Sequence, residues 1–251
     1  MGRDAKTQDL LDFSGRTVLV VGGSSGIGNG VAQAFRRQGG AVHVWGTRAS
    51  AADYSKEEGS DLQGLAYAQM DVSDFAAVEA WTPPFDRLDV LILCQGLVIY
   101  KRGEYDMAGF QKVVDVNLNS VMACAMKFHP LLKAAGGALT IVSSTAAYHA
   151  TIGNPAYNAS KAACLGLVRT LAQAWTADGV RVNGLAPGLV ATKMTAVTTA
   201  NPARLEASLA GIPMKRLGTP EDMAGVALFL SSPLAAYVCG QTIPVDGGLL
   251  L

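Results

Sequence analysis

The chain has 251 residues, half of them apolar and 16% charged, with a formal net charge of zero. Such a chain can bury a large core, and its charge balance argues against nucleic-acid and anionic-membrane partners, which select basic surfaces. No apolar run approaches a bilayer span, and residues 1–14 lack the apolar segment of a signal peptide, so a soluble cytoplasmic protein is expected. Short Val/Ile/Leu runs predict strands over 17–21, 41–45, 64–70, 88–93, 138–142, 180–183 and 242–245. Segments of helical character lie between them, over 27–38, 74–81, 107–134, 155–178 and 220–231. Gly39, Gly136 and Gly179 stand where helices should stop. This alternation, without a linker or repeat, predicts one α/β domain over 15–251 behind an N-terminal extension of 1–14. Its core is a doubly wound, seven-stranded parallel sheet with helices on both faces. Cys94, Cys124, Cys164 and Cys239 are too dispersed for a zinc or redox motif. His43, His129 and His149 are equally scattered, so no metal is expected.

The first strand runs into Gly22-Gly23-Ser24-Ser25-Gly26-Ile27-Gly28 and then a helix. Gly22 permits a tight turn, Gly26 allows backbone amides to approach a pyrophosphate, and Gly28 allows close helix packing. The helix N-terminus and the hydroxyls of Ser24 and Ser25 then offer donors to phosphate oxygens. A second constellation lies further on. Ser144 follows the fifth strand, and Tyr157 and Lys161 are four residues apart in a helical segment, hence on one face. A protonated amine beside a phenol favours the phenolate, which makes the tyrosine a usable general acid or base.

These motifs resemble the classical short-chain dehydrogenases/reductases, over roughly residues 15–248. Val21 through Gly28 matches the family's glycine motif, with valine in place of threonine. Asp71-Val72 matches the adenine-contacting pair, and Leu93-Cys94-Gln95-Gly96 replaces Asn-Asn-Ala-Gly, keeping only the glycine. The bracing supplied by those asparagines must come from elsewhere. The resemblance implies a Rossmann-type fold and a catalytic set of Asn117, Ser144, Tyr157 and Lys161, with Asn117 anchoring a water that links Lys161 to solvent. It further implies cofactor contacts from Gly22, Ser24, Ser25, Gly26, Ile27, Gly28, Asp71, Val72, Gly96, Tyr157, Lys161, Pro187, Gly188, Val190 and Thr192. NAD-binding members carry an acid after the second strand, where this chain has Thr47 and then Arg48. NADP(H) is therefore expected over NAD(H), with Arg48 gripping the phosphate and Ser25 standing where a second cation often lies.

The implied reaction is hydride transfer between nicotinamide and a small secondary alcohol or ketone. The loops after strands four, five and six should line the substrate site with Leu97, Val98, Ala146, His149, Ile152, Asn154, Met194 and Val197. The segment 191–213 is expected to form a helical lid. A second reading is a 3-oxoacyl carrier-protein reductase, which requires a basic patch drawn from Lys101, Arg102, Lys193, Lys215 and Arg216. A third is a dinucleotide sensor without catalysis, which has no use for Tyr157. Helices 107–134 and 155–178 are too apolar to keep a free face. Family members pair these helices between subunits, which implies a homotetramer.

Overall fold

Strands that are apolar on both faces must be covered on both faces. The structure, a computed structural model, describes residues 9–251 and meets this requirement with one sheet between two helical layers. The strands are β1 (Thr17–Val21), β2 (Ala41–Gly46), β3 (Ala66–Gln69), β4 (Val90–Leu93), β5 (Ala138–Val142), β6 (Arg181–Pro187) and β7 (Thr242–Val245). All pair in parallel, in the order β3-β2-β1-β4-β5-β6-β7. The helices are α1 (Gly26–Arg37), α2 (Phe75–Ala80), α3 (Met107–Val114), α4 (Ser120–Ala135), α5 (Pro155–Trp175), α6 (Ala196–Thr199), α7 (Pro202–Gly211) and α8 (Pro220–Ser231).

Alternation along β1 sorts the two layers. Val18 and Val20 pack with Val31 and Phe35 of α1 and with Met223 and Ala227 of α8. Leu19 and Val21 point the other way, toward Val121, Cys124 and Phe128 of α4 and Cys164 and Val168 of α5. From β1 the chain winds outward to β2 and β3, then returns to place β4 on the opposite side of β1. The crevice at this reversal, beyond the carboxyl ends of the strands, is where such sheets bind ligands.

The expected strands 17–21, 138–142 and 242–245 are observed with those bounds. The strand expected over 64–70 shortens to β3, while that expected over 180–183 becomes the longer β6. Gly184 and Pro187 resemble strand breakers, yet both pair with β7. The single helix expected over 107–134 is interrupted by a π-helical turn, Asp115–Asn119, between α3 and α4. The buried positions at the turn are the polar Asn117 and Ser120, so an apolar pattern does not report it. Gly39, Gly136 and Gly179 adopt left-handed φ values of 85°, 60° and 76° at helix ends. The segment 191–213 is helical, in α6 and α7. Residues 1–8 of the expected extension lie outside the described residues. Phe13 is buried, with its ring edge-on to Phe35 at 4.8 Å.

Candidate active site

The glycine turn passes closely over the end of β4. Gly22 has φ +75°, and a Cβ there would lie 2.9 Å from the Gln95 nitrogen. Ser25, the N-cap of α1, makes no side-chain capping bond, which leaves its hydroxyl available. Thr192 Cγ2 sits 3.3 Å from where a Gly26 Cβ would be, bringing the loop after β6 to the turn. A Cβ on Gly28 would stand 2.2 Å from the Gly22 carbonyl oxygen, so helix and turn are in close contact. The segment after β2 also crosses this turn: Gly26 N–H donates to Gly59 O at 2.8 Å. Asn29 anchors the crossing, donating to Asp61 O at 2.7 Å and accepting from Asp61 N at 2.9 Å. The amides of Ile27 and Gly28 are the remaining first-turn donors of α1.

Ser24 is buried, and its Oγ and the Tyr54 hydroxyl lie 2.6 Å and 2.8 Å from where a Gly46 Cβ would be. Burial pushes the Tyr54 phenol up, but bonds from Ser24 and the Arg48 and Thr47 amides bring it below the usual tyrosine value. The Arg48 guanidinium stacks 4.4 Å over the Tyr54 ring, bonds the Asp53 carbonyl and ion-pairs with Glu57. Lys193 reaches the other Glu57 oxygen at 3.2 Å. Two cations from distant loops thus converge on one carboxylate. Asp71 accepts from the Ser73 hydroxyl at 2.6 Å and the Ser73 amide at 2.9 Å, which holds its carboxyl below the usual range. Val72 and Val190 are both buried, and Val190 offers its carbonyl to Thr195 Oγ1. Pro187 closes β6, and the Gly188 amide donates to Val245 O at 3.0 Å.

At the centre of the crevice, Lys161 is buried and its Nζ donates to Val142 O at 2.8 Å. Nζ lies 5.9 Å from the Tyr157 ring centre. A Cβ on Gly96 would stand 3.7 Å from Lys161 Nζ, 3.8 Å from Asn117 Oδ1 and 3.8 Å from Met194 Cε. Helix α5, the π turn, the end of β4 and the loop after β6 therefore meet at one point. Ser144 Oγ accepts from Ala146 N at 3.1 Å, so its proton is free to point elsewhere. Ser143 Oγ donates to Lys161 O at 2.8 Å and ties β5 to α5. The Asn117 side chain is committed to the protein: it accepts from Leu97 N at 2.7 Å and donates to Leu97 O at 2.9 Å and Ser160 Oγ at 3.2 Å. Any water link at Asn117 must therefore use its main-chain carbonyl, which receives the Cys164 thiol at 3.5 Å.

The bracing at Leu93-Cys94-Gln95-Gly96 comes from Gln95, whose Nε2 reaches Ser120 Oγ on α4 at 3.0 Å. Burial pushes the Cys94 thiol up to about 11, against the pull of Lys161.

Of the expected substrate wall, Leu97 and Val98 are half-buried, Ala146 is buried and Met194 covers Gly96. Ile152 and Val197 are exposed. His149 is exposed and bonds the adjacent Ala150 carbonyl at 3.1 Å. Asn154 turns its Nδ2 inward to Ile99 O and Glu104, both at 3.2 Å. Sequence reasoning missed Tyr100, whose hydroxyl donates to Met194 O at 2.7 Å, and Tyr105, which donates to Ile152 O at 2.6 Å. Neither belongs to a motif. The candidate basic patch is partly spent: Arg216 pairs with Asp222 at 2.6 Å and Lys215 donates to Ala210 O. Among the described residues no cluster of His, Cys, Asp or Glu could hold a metal, and no helix is long and apolar enough to cross a membrane.

Residues 21–250 match a family model described as enoyl-(acyl carrier protein) reductase. The 3-oxoacyl-(acyl-carrier-protein) reductase FabG of Chlamydia pneumoniae is 36% identical, covering 95% of this chain and 98% of that protein. A putative NAD(P)-dependent gluconate 5-dehydrogenase from Beutenbergia cavernae, solved with NADP bound at low occupancy, is 35% identical with a TM-score of 0.85. That match covers 96% of this chain and 98% of the other. The Pseudomonas aeruginosa RhlG/NADP active-site complex is 33% identical with a TM-score of 0.88, covering 96% and 99%. With a family model matching residues 21–250 and relatives above 30% identity covered almost end to end, the chain belongs to the short-chain dehydrogenase/reductase family of oxidoreductases.

Proposed function

We propose that this protein is an NADP(H)-dependent oxidoreductase that interconverts a secondary alcohol and a ketone, with Tyr157 as general acid/base. The observation that carries the reading is the meeting of Lys161 Nζ, Asn117 Oδ1 and Met194 Cε around Gly96, on the face of α5 that bears Tyr157. The residues fit a nicotinamide dinucleotide. The glycine turn leaves the amides of Ile27 and Gly28 for phosphate. The Glu57 carboxylate, gripped by Arg48 and Lys193, marks an anion position at the adenosine end. The cofactor, when bound, supplies or accepts the hydride.

The chain's own groups handle the oxygen. Tyr157 gives its phenolic proton to a carbonyl oxygen during reduction and takes one from the alcohol during oxidation. Ser144, with its Oγ already accepting from Ala146 N, donates its proton to the same oxygen. Lys161 keeps two N–H groups beyond its bond to Val142 O, available to the cofactor ribose. Leu97, Val98, Ala146 and Met194 exclude water and select an uncharged or weakly polar substrate.

A second reading is reduction of a 3-oxoacyl thioester on an acidic carrier protein. It draws on the named activity of the Chlamydia relative and on Lys101 and Arg102, which project from consecutive left-handed positions beside the substrate loop. Steady-state rates with NADPH and NADH against simple ketones, keto sugar acids and acetoacetyl thioesters test both readings. The first expects higher kcat/KM with NADPH and free ketones. A clear preference for carrier-bound thioesters would select the second, and no turnover with any carbonyl would reject both. We further propose a homotetramer that covers the exposed Met122 and Met126 of α4.

A further inference from the structure

We propose that Glu104 is a positioning residue that holds Tyr157 in place by capping α5 from a distant loop. This rests on the reading of Tyr157 as general acid/base. Glu104 is 1% exposed. Among the described residues no lysine, arginine or histidine pairs with it. A buried carboxylate without a counter-ion persists only where donors replace its water. Its donors here are the Ile99 amide at 3.0 Å and Asn154 Nδ2 at 3.2 Å on Oε1, and the Tyr157 amide at 2.9 Å on Oε2.

The first turn of α5 needs such a partner. Its N-cap, Asn154, makes no side-chain capping bond, and Pro155 has no amide hydrogen to offer. Tyr157 is the third helical residue, the position whose amide an N-cap side chain would ordinarily satisfy. Glu104 takes over that task from 53 residues earlier in the chain. Its negative charge also lies at the positive end of the helix, where it is favoured. Frayed first-turn geometry would swing the phenol, and a misplacement of about 1 Å can cost roughly 100-fold in rate.

The same carboxylate fixes the substrate wall. Ile99 is held at its amide by Glu104 and at its carbonyl by Asn154, two residues beyond Leu97, which the Asn117 side chain grips. Glu104 thus locks the loop after β4 to the helix that carries the acid. Glutamine cannot substitute, because its amide nitrogen would face an N–H donor whichever way it turned.

The test is a double-mutant cycle of Glu104→Gln and Tyr157→Phe. It is read as kcat and KM for the best carbonyl of the substrate panel and as NADPH affinity by fluorescence. Glu104→Gln is expected to lower kcat about 10- to 100-fold while NADPH affinity stays within about twofold. In the Tyr157→Phe background the same change should have no further effect beyond about twofold. An equal loss in both backgrounds, or a Glu104→Gln kcat within about twofold of wild type, would overturn the proposal. Wild-type turnover by Tyr157→Phe alone would instead sink the underlying reading, in its own arm of the cycle. Should Glu104→Gln fail to fold, Glu104→Asp keeps the charge but shortens the reach. Hydrogen exchange should then lose protection at the Tyr157 amide but keep it at Leu171 in the same helix. Retained protection at Tyr157 would refute the capping role.

Discussion

Glu57 stands between Arg48 and Lys193, where an adenosine phosphate would find its cations. On the proposed reading, the Glu57 carboxylate would compete with a cofactor phosphate for these two cations. Glu57→Gln is expected to tighten NADPH binding about two- to fivefold, the scale of one partly exposed ion pair, and to leave NADH nearly unchanged. Titration of both nucleotides by fluorescence checks this. Weaker NADPH binding would mean that Glu57 supports the site. Arg48 was legible in the sequence because it follows a recognisable strand. The pairing of Glu57 with Lys193, which the sequence offered only as a member of a basic patch, was not, because 136 residues separate the two. Glu104 was hidden for the same reason as Glu57: its meaning lies in amides that only the fold brings to it.

At the scale of elements, strands were easier to read than interruptions. Runs such as Ala138–Val142 are buried throughout, apolar but for Thr140, and bounded by glycine and serine, so their limits show in the sequence. The π turn did not show, because its inward positions are the polar Asn117 and Ser120 while the hydrogen bonding widens to Ser120 N–Asp115 O. The turn that delivers Glu104 carries its own strain. Lys101 and Arg102 sit consecutively at φ 57° and 61°, in the left-handed region that costs a side chain about 1–2 kcal/mol. Arg102 regains some of this by lying 5.6 Å over the Tyr105 ring. Lys101→Gly should therefore raise stability by about 1 kcal/mol, after the glycine's larger unfolded entropy is counted. That corresponds to a Tm rise of about 2–4 °C for a chain of this size. A lowered Tm in a calorimetric scan would show that the Lys101 side chain makes a compensating contact.

Across the whole molecule, the sheet order and the position of the crevice follow from the alternation of strand and helix, and the site sits at the reversal between β1 and β4. The proposed tetramer predicts a mass of four chains by light scattering at micromolar concentration, and a stable monomer would reject it. The identity of the substrate stayed out of reach of the sequence because its walls come from three loops, and two of the polar candidates, His149 and Asn154, face their own neighbours. On the proposed reading, one phenol, on a helix fixed by buried groups, moves the proton in a nicotinamide-dependent reaction. Single-turnover reduction by prebound NADPH, followed by its absorbance in wild type and Tyr157→Phe, tests it most directly. The account predicts that the variant binds NADPH with affinity within about twofold of wild type and transfers hydride at least about 100-fold more slowly. Transfer at a rate within a few fold of wild type would contradict it.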